Sequence, residues 1–240
     1  MFLARGHRLC NLSGMEKPLE TVIVDSILDA IADQRLHAGT KLGEQALSDL
    51  FGCNRAHVRR ALGTLTAYQV VDHLPNRGAY VATPTPEDAR DVFQARRAIE
   101  VVICRNAVRQ ATPDDIAALR AHLAQEASAR GSGDRSAAVR LSRGFHLLLG
   151  RIGRNPVLLR YLEELTMRSS LIIGLYATGH GTLCADDEHS RITDAIEARD
   201  MDAAQDLLDR HLRHIEGGIH FGEDAPATGE LSKALCRDAR

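Results

Sequence analysis

Residues 45–80 constrain the fold of this chain more than any other stretch, because they combine two short helical patterns with a tight turn between them. The first pattern covers residues 45–51 and ends at Gly52, in the position where a left-handed C-cap is usual. Asn54 then suits the N-cap of the second pattern. Two short helices joined by a three-residue turn predict a helix-turn-helix. The apolar stripe of the second helix consists of Val58, Ala61, Leu62 and Leu65.

The residues after this second helix change from a helical period to the character of β-strands. Two short runs, VVDHL and AYVAT, are separated by PNRG, whose proline, asparagine and glycine suit a turn. The runs predict a hairpin, which would be the wing of a winged helix. A proline-rich segment at 83–88 then predicts a linker and the start of another helix.

Every pattern after residue 86 is helical, and the scarcity of aromatic residues agrees with a helical class. We therefore expect a mainly α protein, in which an N-terminal winged helix-turn-helix with a small β-hairpin precedes an all-α bundle of six or seven helices. The predicted bundle helices cover 86–110, 113–130, 134–153, 155–177, 186–199 and 201–220. The predicted parts of the chain are a flexible arm at 1–17, the winged helix-turn-helix at 18–83, the bundle at 84–221 and a flexible tail at 222–240.

The cysteines and the hydropathy pattern exclude several classes of protein. The five cysteines are scattered and form no CxxC pair, which argues against a disulfide framework and against a cysteine-rich zinc module. No apolar run approaches the roughly 20 residues that cross a bilayer. We expect a cytoplasmic protein with reduced thiols and no membrane partner. The cysteines are Cys10, Cys53, Cys104, Cys184 and Cys236.

Positive charge is concentrated in the predicted winged helix, although the formal net charge of the chain is −2. Residues 51–85 hold four arginines against one acidic residue, a local balance of +3. Arg55 and Arg59 are four residues apart, so they share the helix face opposite the apolar stripe. Arg77 and Gly78 occupy the tip of the hairpin. Arginines on an ordinary solvent-exposed helix would not indicate any particular function. In a winged helix-turn-helix, arginines at these positions predict binding to double-stranded DNA.

The sequence GTKLGEQALSDLFGCNRAHVRRALGTLTAYQVVDHLPNRGAYV resembles the DNA-binding domain of GntR-family bacterial transcription regulators. The resemblance implies DNA contacts by Arg55 and Arg59, a further contact by Gln45 at the start of the second helix, and a wing glycine at Gly78. Arg60 stands where the family usually has Glu and adds positive charge. The predicted DNA-binding residues are Gln45, Arg55, Arg59, Arg60, Arg77 and Gly78.

Three histidines fall on apolar helix faces of the predicted bundle. His189 shares a face with isoleucines, His211 shares one with leucines, and His146 follows Phe145 on an amphipathic helix. Each histidine alone is more often a core residue with a hydrogen-bond partner than a ligand. Together, three inward imidazoles from different helices could hold one divalent cation.

The segments FHLLLGRIGRNPVL and DEHSRITDAIEARDMDAAQDLLDRHL are similar to the ligand-binding bundle of the FadR-like, FCD-type branch of the same family. This resemblance implies that His146, His189 and His211 are ligands of a metal, often zinc. The family's fourth ligand is Asp or Asn four residues before the first histidine, and here that residue is Ser142. A serine hydroxyl is a poor zinc ligand, so we expect water or an effector carboxylate at that position, or weaker metal binding.

Arg96 lies within an apolar stripe of the first bundle helix, where a guanidinium needs an anion. One interpretation is an internal pair with Glu100, one turn later. The other comes from the FCD resemblance, because an arginine at this place helps to bind an acidic effector. Asn155 and Arg168 are expected to join the same cavity.

These features together predict a homodimeric, effector-responsive transcription regulator, by default a repressor. Two winged helices would read a palindromic operator, and the bundle would dimerise and bind a metal and a small carboxylate, with the linker 83–88 as hinge. One alternative is a metal-dependent enzyme that uses the three histidines. It is disfavoured because the sequence offers no obvious general base, since the nearest carboxylate, Glu188, is expected on a different helix face from His189. Another is an architectural DNA-binding dimer without an effector.

Overall fold

The computed structural model describes residues 17–177, 187–222 and 231–235. It is mainly helical with one small antiparallel sheet, as predicted. The N-terminal elements are α1 (Leu19–Ala32), β1 (Lys41–Leu42), α2 (Glu44–Phe51), α3 (Arg55–Ala67), β2 (Val71–Leu74) and β3 (Gly78–Val81). The later helices are α4 (Pro86–Gln110), α5 (Pro113–Gly131), α6 (Arg135–Ile152), α7 (Pro156–Tyr176), α8 (Glu188–Glu197), α9 (Met201–Gly217) and α10 (Leu231–Leu235).

Local capping chemistry sets the helix-turn-helix. Gly52 ends α2 with a φ of 59°, in the left-handed region that glycine adopts without steric cost. The Asn54 side chain accepts a hydrogen bond from the backbone N–H of His57 at 3.2 Å and so begins α3. The two helices pack through a buried apolar core that includes Ile27, Leu47 and Val58. Both caps and the turn confirm the prediction.

The wing contains one strand more than the sequence indicated. Strands β2 and β3 pair antiparallel, with Val71 opposite Val81 and Leu74 opposite Gly78. Strand β1 pairs with the free side of β3, so the order is β1-β3-β2. It has only two residues, too few to show an alternating pattern in the sequence.

The bundle helices begin at strong caps. Thr85 forms a capping box with Asp88, and Thr112 forms one with Asp115, each followed by a proline in the first turn. The observed bounds agree with the predicted helices within three residues. The largest difference is at the end of the last predicted helix, where α9 stops at Gly217. No helix in the described residues is long and apolar enough to cross a bilayer.

The winged helix-turn-helix and the bundle of this chain share a packed junction. Helix α1 lies against α6 and α7, and Leu171 of α7 belongs to the same apolar core as α1 and α3. Arg135 of α6 donates to the backbone carbonyl of Ala32 at 2.6 Å. Gly174 allows the close approach, because a Cβ there would lie 2.9 Å from Cγ2 of Ile31.

The ends of the chain differ in part from the prediction. Within the predicted flexible tail 222–240, Leu231–Leu235 form a short helix, because Leu231, Ala234 and Leu235 place apolar side chains on one side that packs against the first core. Most of the predicted arm, and the cysteines Cys10, Cys184 and Cys236, lie outside the described residues. Cys53 and Cys104 are free thiols.

Candidate nucleic-acid interface and metal centre

Two arginines of α3 are held side by side by a single carboxylate. Arg55 and Arg59 are exposed, with 52% and 62% of their side chains accessible. The Nη2 of Arg55 donates to Oε2 of Glu44 at 2.6 Å, and the Nε of Arg59 donates to the same oxygen at 2.9 Å. The hydrogen bond from Arg55 is the main cause of the lowered pKa of Glu44. Glu44 begins α2, so it ties the two helices of the motif together while leaving both guanidinium groups in solvent.

Arg60 and Gln45 hydrogen-bond to acidic residues other than Glu44. The Nε of Arg60 donates to Oε1 of Glu20, at the start of α1, at 2.7 Å. His57 shares this carboxylate oxygen, with its Nδ1 at 2.9 Å. Gln45 is exposed beside Glu44 in sequence and donates to Asp49 at 2.8 Å. Arg60 therefore belongs to an ion cluster that links α3 to α1.

The wing tip combines a required glycine with basic side chains. Gly78 has a φ of 95°, a conformation that side chains disfavour. The guanidinium of Arg77 lies 5.8 Å from the ring centre of Tyr80, and the ammonium of Lys41 lies 5.9 Å from it. Lys41 was not singled out from the sequence, because strand β1 was not recognised.

The structure brings the three predicted ligand histidines together in the bundle. His146 of α6, His189 of α8 and His211 of α9 are 1%, 3% and 0% exposed. The Nε2 of His211 lies 3.2 Å from that of His146 and 3.0 Å from that of His189. Phe145 stacks on the His189 ring with centroids 4.0 Å apart. Three ring nitrogens from three helices thus face one point.

Each of these histidines is oriented by its own carboxylate. The opposite ring nitrogen, Nδ1, faces an acidic oxygen that can only accept, so Nδ1 carries the proton and Nε2 presents its lone pair to the centre. Burial lowers the pKa of all three rings, to about 4 for His146 and His211, which keeps them neutral. The pairs are His146 with Glu100 at 2.6 Å, His189 with Glu126 at 2.9 Å, and His211 with Glu188 at 2.8 Å.

This donor set fits a divalent cation. A tetrahedral zinc with Zn–N bonds of about 2.0–2.1 Å holds its ligand nitrogens about 3.3 Å apart. The two Nε2 separations from His211 are close to that value. Neutral imidazoles backed by carboxylates are also the usual form of metal-binding histidines. Ser142, one turn before His146, lines the adjoining cavity.

The position of Glu188 differs from the expectation. Its carboxylate does not stay apart from the histidines but bonds to Nδ1 of His211 and, at 2.9 Å, to Nδ1 of His214. The reason is that α8 and α9 pack together, so the first turn of α8 reaches the side of α9. Glu188 therefore orients a ring and is not placed to act as a base on the open side of the centre.

A cavity with about 360 Å³ of empty space, part of it open to solvent, adjoins this centre. Arg96 is buried at its edge, where its Nε donates to Glu100 at 2.7 Å and its Nη1 to Ser169 at 3.0 Å. Its Nη2 is buried, and no described residue accepts a hydrogen bond from it. The lining residues are Arg96, Val139, Ser142, Arg143, His146, Thr166, Ser169, Ser170, Ile173 and Ile215.

The internal pair of Arg96 with Glu100 is present, as one interpretation predicted. The other interpretation, binding of an acidic effector, stays a prediction, and the buried Nη2 has no partner among the described residues. Glu100 also bonds to His146, so a single buried carboxylate joins the arginine to the histidine cluster. Burial alone would raise the pKa of Glu100, but Arg96 and His146 outweigh it and hold the pKa at about 2.

Asn155 and Arg168 do not join this cavity, contrary to the expectation. Asn155 is the N-cap of α7, and its side chain accepts hydrogen bonds from the backbone of Val157 and Leu158. An asparagine directly before a proline is a cap signal, and that signal accounts for it. Arg168 is half-buried on α7 and lies close enough to Asp88 to add to the lowering of its pKa by the Thr85 cap.

A second cavity, with about 330 Å³ of empty space, lies at the junction between the two halves of the chain. Asp25 and Asp29 of α1 form one side of it. Val139, Arg143 and Ser170 line this cavity and also the one beside Arg96. The wall beside the three histidines therefore also borders a cavity that is lined by the first helix of the winged helix-turn-helix.

Sequence reasoning missed Glu126 and Arg143, and it recognised Glu100 only as a partner of Arg96. One signal was available for Glu126, because it continues the buried stripe of α5 that contains Leu119. A carboxylate at an apolar stripe position needs a buried partner, and here the partner is His189. Arg143 carries no comparable signal.

Comparison with known proteins matches both halves of the chain. Residues 19–81 match the gntR family of bacterial regulatory proteins, and residues 91–214 match the FCD domain. The chain is 29% identical over 194 residues to the Uxu operon regulator of Haemophilus influenzae, covering 72% of this chain and 71% of that protein. It is 26% identical over 202 residues to a probable D-xylose utilization operon transcriptional repressor of Paenarthrobacter nicotinovorans, covering 81% and 89%.

A solved structure shares the fold. That of Escherichia coli McbR/YncC superposes with a TM-score of 0.71 at 21% identity, covering 82% of this chain and 95% of that one. The matched domains and relatives are those of transcription regulators and not of enzymes, which removes the metal-dependent enzyme as an alternative. The chain belongs to the GntR family of bacterial transcription regulators, with an FCD domain as its second half, and it is a DNA-binding regulator.

Proposed function

We propose that this regulator is a homodimeric, cytoplasmic repressor whose affinity for a palindromic operator is controlled by a small carboxylate bound beside a divalent metal. One observation carries the proposal. The buried guanidinium of Arg96 keeps its Nη2, an NH2 group, without a partner among the described residues, in a cavity that His146 also lines. A buried cationic N–H without an acceptor is costly, and a carboxylate ligand would satisfy it.

The operator would be bound by α3 and the wing. Arg55 and Arg59 are exposed and already aligned by Glu44, which reduces the side-chain freedom that DNA binding would otherwise remove. Gln45, Arg60, Arg77 and Gly78 complete the proposed surface. Its net positive charge suits phosphates, and the arginines suit guanine edges. Two copies related by a two-fold axis would read the two half-sites.

The metal would be held by His146, His189 and His211, and zinc is the proposed ion. The bound cation would supply positive charge and an open coordination position at the cavity, where an oxygen ligand could bind. Ser142 stands where the family has Asp or Asn, so this chain contributes fewer negative charges to the centre. A water or the effector carboxylate would then complete the coordination.

Control of the operator requires that the ligand favour one placement of the DNA-binding half over another. The junction offers a route, since α6 and α7, which supply much of the cavity wall, pack against α1. Asp29 of α1 pairs with Arg140 of α6 at 2.5 Å, and Arg135 holds the end of α1. A shift of α6 on ligand binding would therefore move α1, with the linker 83–88 absorbing the change.

A thermal-shift screen of organic acids against the zinc-loaded full chain tests the proposal. At least one carboxylate is expected to raise the melting temperature of the wild type, and Arg96→Met is expected to abolish that rise. Arg160→Met, an exposed arginine of α7, serves as the matched control and should keep the response. A carboxylate that stabilises wild type and Arg96→Met equally would refute the assignment of Arg96. If no acid stabilises the wild type, the effector is not a carboxylate.

A further inference from the structure

The cavity beside the metal centre contains two arginines and no acidic lining residue among those described. Arg96 and Arg143 both line it, together with four hydroxyl side chains. A cavity of this composition has a positive potential that favours anions. The hydroxyls belong to Ser142, Thr166, Ser169 and Ser170. The last three already donate their single proton to backbone carbonyls of α7, so the two arginines are the main donors for a ligand.

The two arginines differ in how their charge is compensated. Arg96 has a carboxylate partner, Glu100. No described Asp or Glu lies within 4.0 Å of the Arg143 guanidinium, and its hydrogen bond runs from Nη1 to the sulfur of Met167, at 2.7 Å. A thioether is a weak acceptor, so this contact compensates little of the charge. Burial accordingly lowers the pKa of Arg143, against the effect of Asp25.

The nearby acidic residues of α1 are engaged elsewhere. Asp29 pairs with Arg140, and Asp25 pairs with Lys17 at 3.0 Å. They influence Arg143 through the junction cavity without an ion pair. Among the described residues, no carboxylate therefore pairs with Arg143 on either side of the wall in which it lies.

We infer that Arg143 is a second anion-binding group and that the effector is a small dicarboxylate, with one carboxylate on Arg96 and the other on Arg143. The inference rests on the proposed function, which requires only one carboxylate. A monocarboxylate would accept the hydrogen bond from Nη2 of Arg96 and leave Arg143 in contact with only the Met167 sulfur. A second carboxylate would replace a thioether contact with a charge-assisted hydrogen bond.

This placement also gives the second carboxylate a regulatory position. Arg143 belongs to the wall shared with the junction cavity, opposite Asp25 and Asp29 of α1. A ligand carboxylate on Arg143 would neutralise a charge that faces these two residues. The dicarboxylate would then act on the DNA-binding half more strongly than a monocarboxylate does.

Calorimetric titration of the zinc-loaded full chain with acids matched in chain length tests the inference. The pairs are malonate with propionate, succinate with butyrate, and glutarate with pentanoate. In at least one pair the diacid is expected to bind wild type about tenfold or more tightly than the monoacid, the gain typical of a charge-assisted hydrogen bond. Arg143→Met is expected to reduce that ratio to about one, and Arg143→Lys to restore part of it.

Arg160→Met is the matched control, because it removes an exposed arginine charge of α7 that lines neither cavity. It should keep the diacid preference. The inference is wrong if no pair shows the preference in wild type, or if Arg143→Met retains it. Monoacid binding that is lost in Arg96→Met, without any diacid preference, would leave the proposed function intact and remove only the second site. No binding of any of these acids would count against both.

Discussion

The arginine pair on α3 and the histidine centre of the bundle are both clusters of charged and polar side chains, but they differ in burial. Glu44 holds Arg55 and Arg59 at the surface, where water screens the charges. Glu100 holds Arg96 and His146 in the interior, where each charge depends on its partner. Because of this difference, the surface cluster can be specialised for binding DNA at little cost to the stability of the fold. Binding of a ligand to the buried cluster, in contrast, would also change the stability of the bundle.

The largest expected effect is on the stability of the buried cluster. Glu100→Gln should lower the free energy of unfolding by about 3–5 kcal/mol, because Arg96 would stay buried without its carboxylate. The equivalent change at the surface, Glu44→Gln, should cost less than about 1 kcal/mol. Urea denaturation of the metal-free full chain at one pH measures both variants.

A double variant shows whether Glu100→Gln destabilises the protein because the charge of Arg96 is no longer compensated or because the packing is disturbed. Arg96→Met combined with Glu100→Met removes both charges and should recover most of the stability that Glu100→Gln loses, since apolar replacements of a buried pair are often tolerated. Equal costs for Glu100→Gln and Glu44→Gln would show that burial does not distinguish the two clusters.

Metal binding should stabilise the bundle and depend on the histidines alone. Zinc at a free concentration a hundred times its dissociation constant should add about 2.7 kcal/mol. His211→Ala is expected to lose this gain, whereas Arg59→Ala should keep it. Thermal unfolding with and without a chelator provides the measurement. A gain that persists in His211→Ala would locate the metal elsewhere.

The surface arginines should affect DNA binding and leave stability unchanged. Arg55→Ala and Arg59→Ala are each expected to weaken operator binding by about 1–3 kcal/mol. Gel shifts at fixed salt, on an operator selected from random DNA, give the affinities, and Arg160→Ala serves as an exposed arginine control. Unchanged affinity in both variants would exclude this face of α3 from the interface.

The two clusters also differ in how far sequence could predict them. The helix-turn-helix depends on local signals such as the Asn54 cap and the Gly52 turn, so its bounds could be predicted from the sequence. The histidines were recognised by position and family resemblance, but their carboxylates were not. Glu126, for example, lies 63 residues from His189, and only the packing of α5 against α8 brings them together.

Errors arose where one residue type serves two purposes. Asn155 was predicted in the effector cavity, although an asparagine before a proline also suits a helix cap, which is its observed role. Arg143 was overlooked because nothing in its local sequence distinguishes it from the exposed arginines of the chain. Its significance comes from lining two cavities at once, which is a property of the fold.

The central claim is that the buried cluster controls the surface cluster. Operator affinity of the zinc-loaded full chain, measured with and without the stabilising carboxylate, tests it most directly. The account predicts that the carboxylate changes the operator affinity of the wild type by about 5–150-fold, the usual range of allosteric coupling. Arg96→Met should still bind the operator, and the carboxylate should not change its affinity. An identical response to the carboxylate in wild type and Arg96→Met would contradict it.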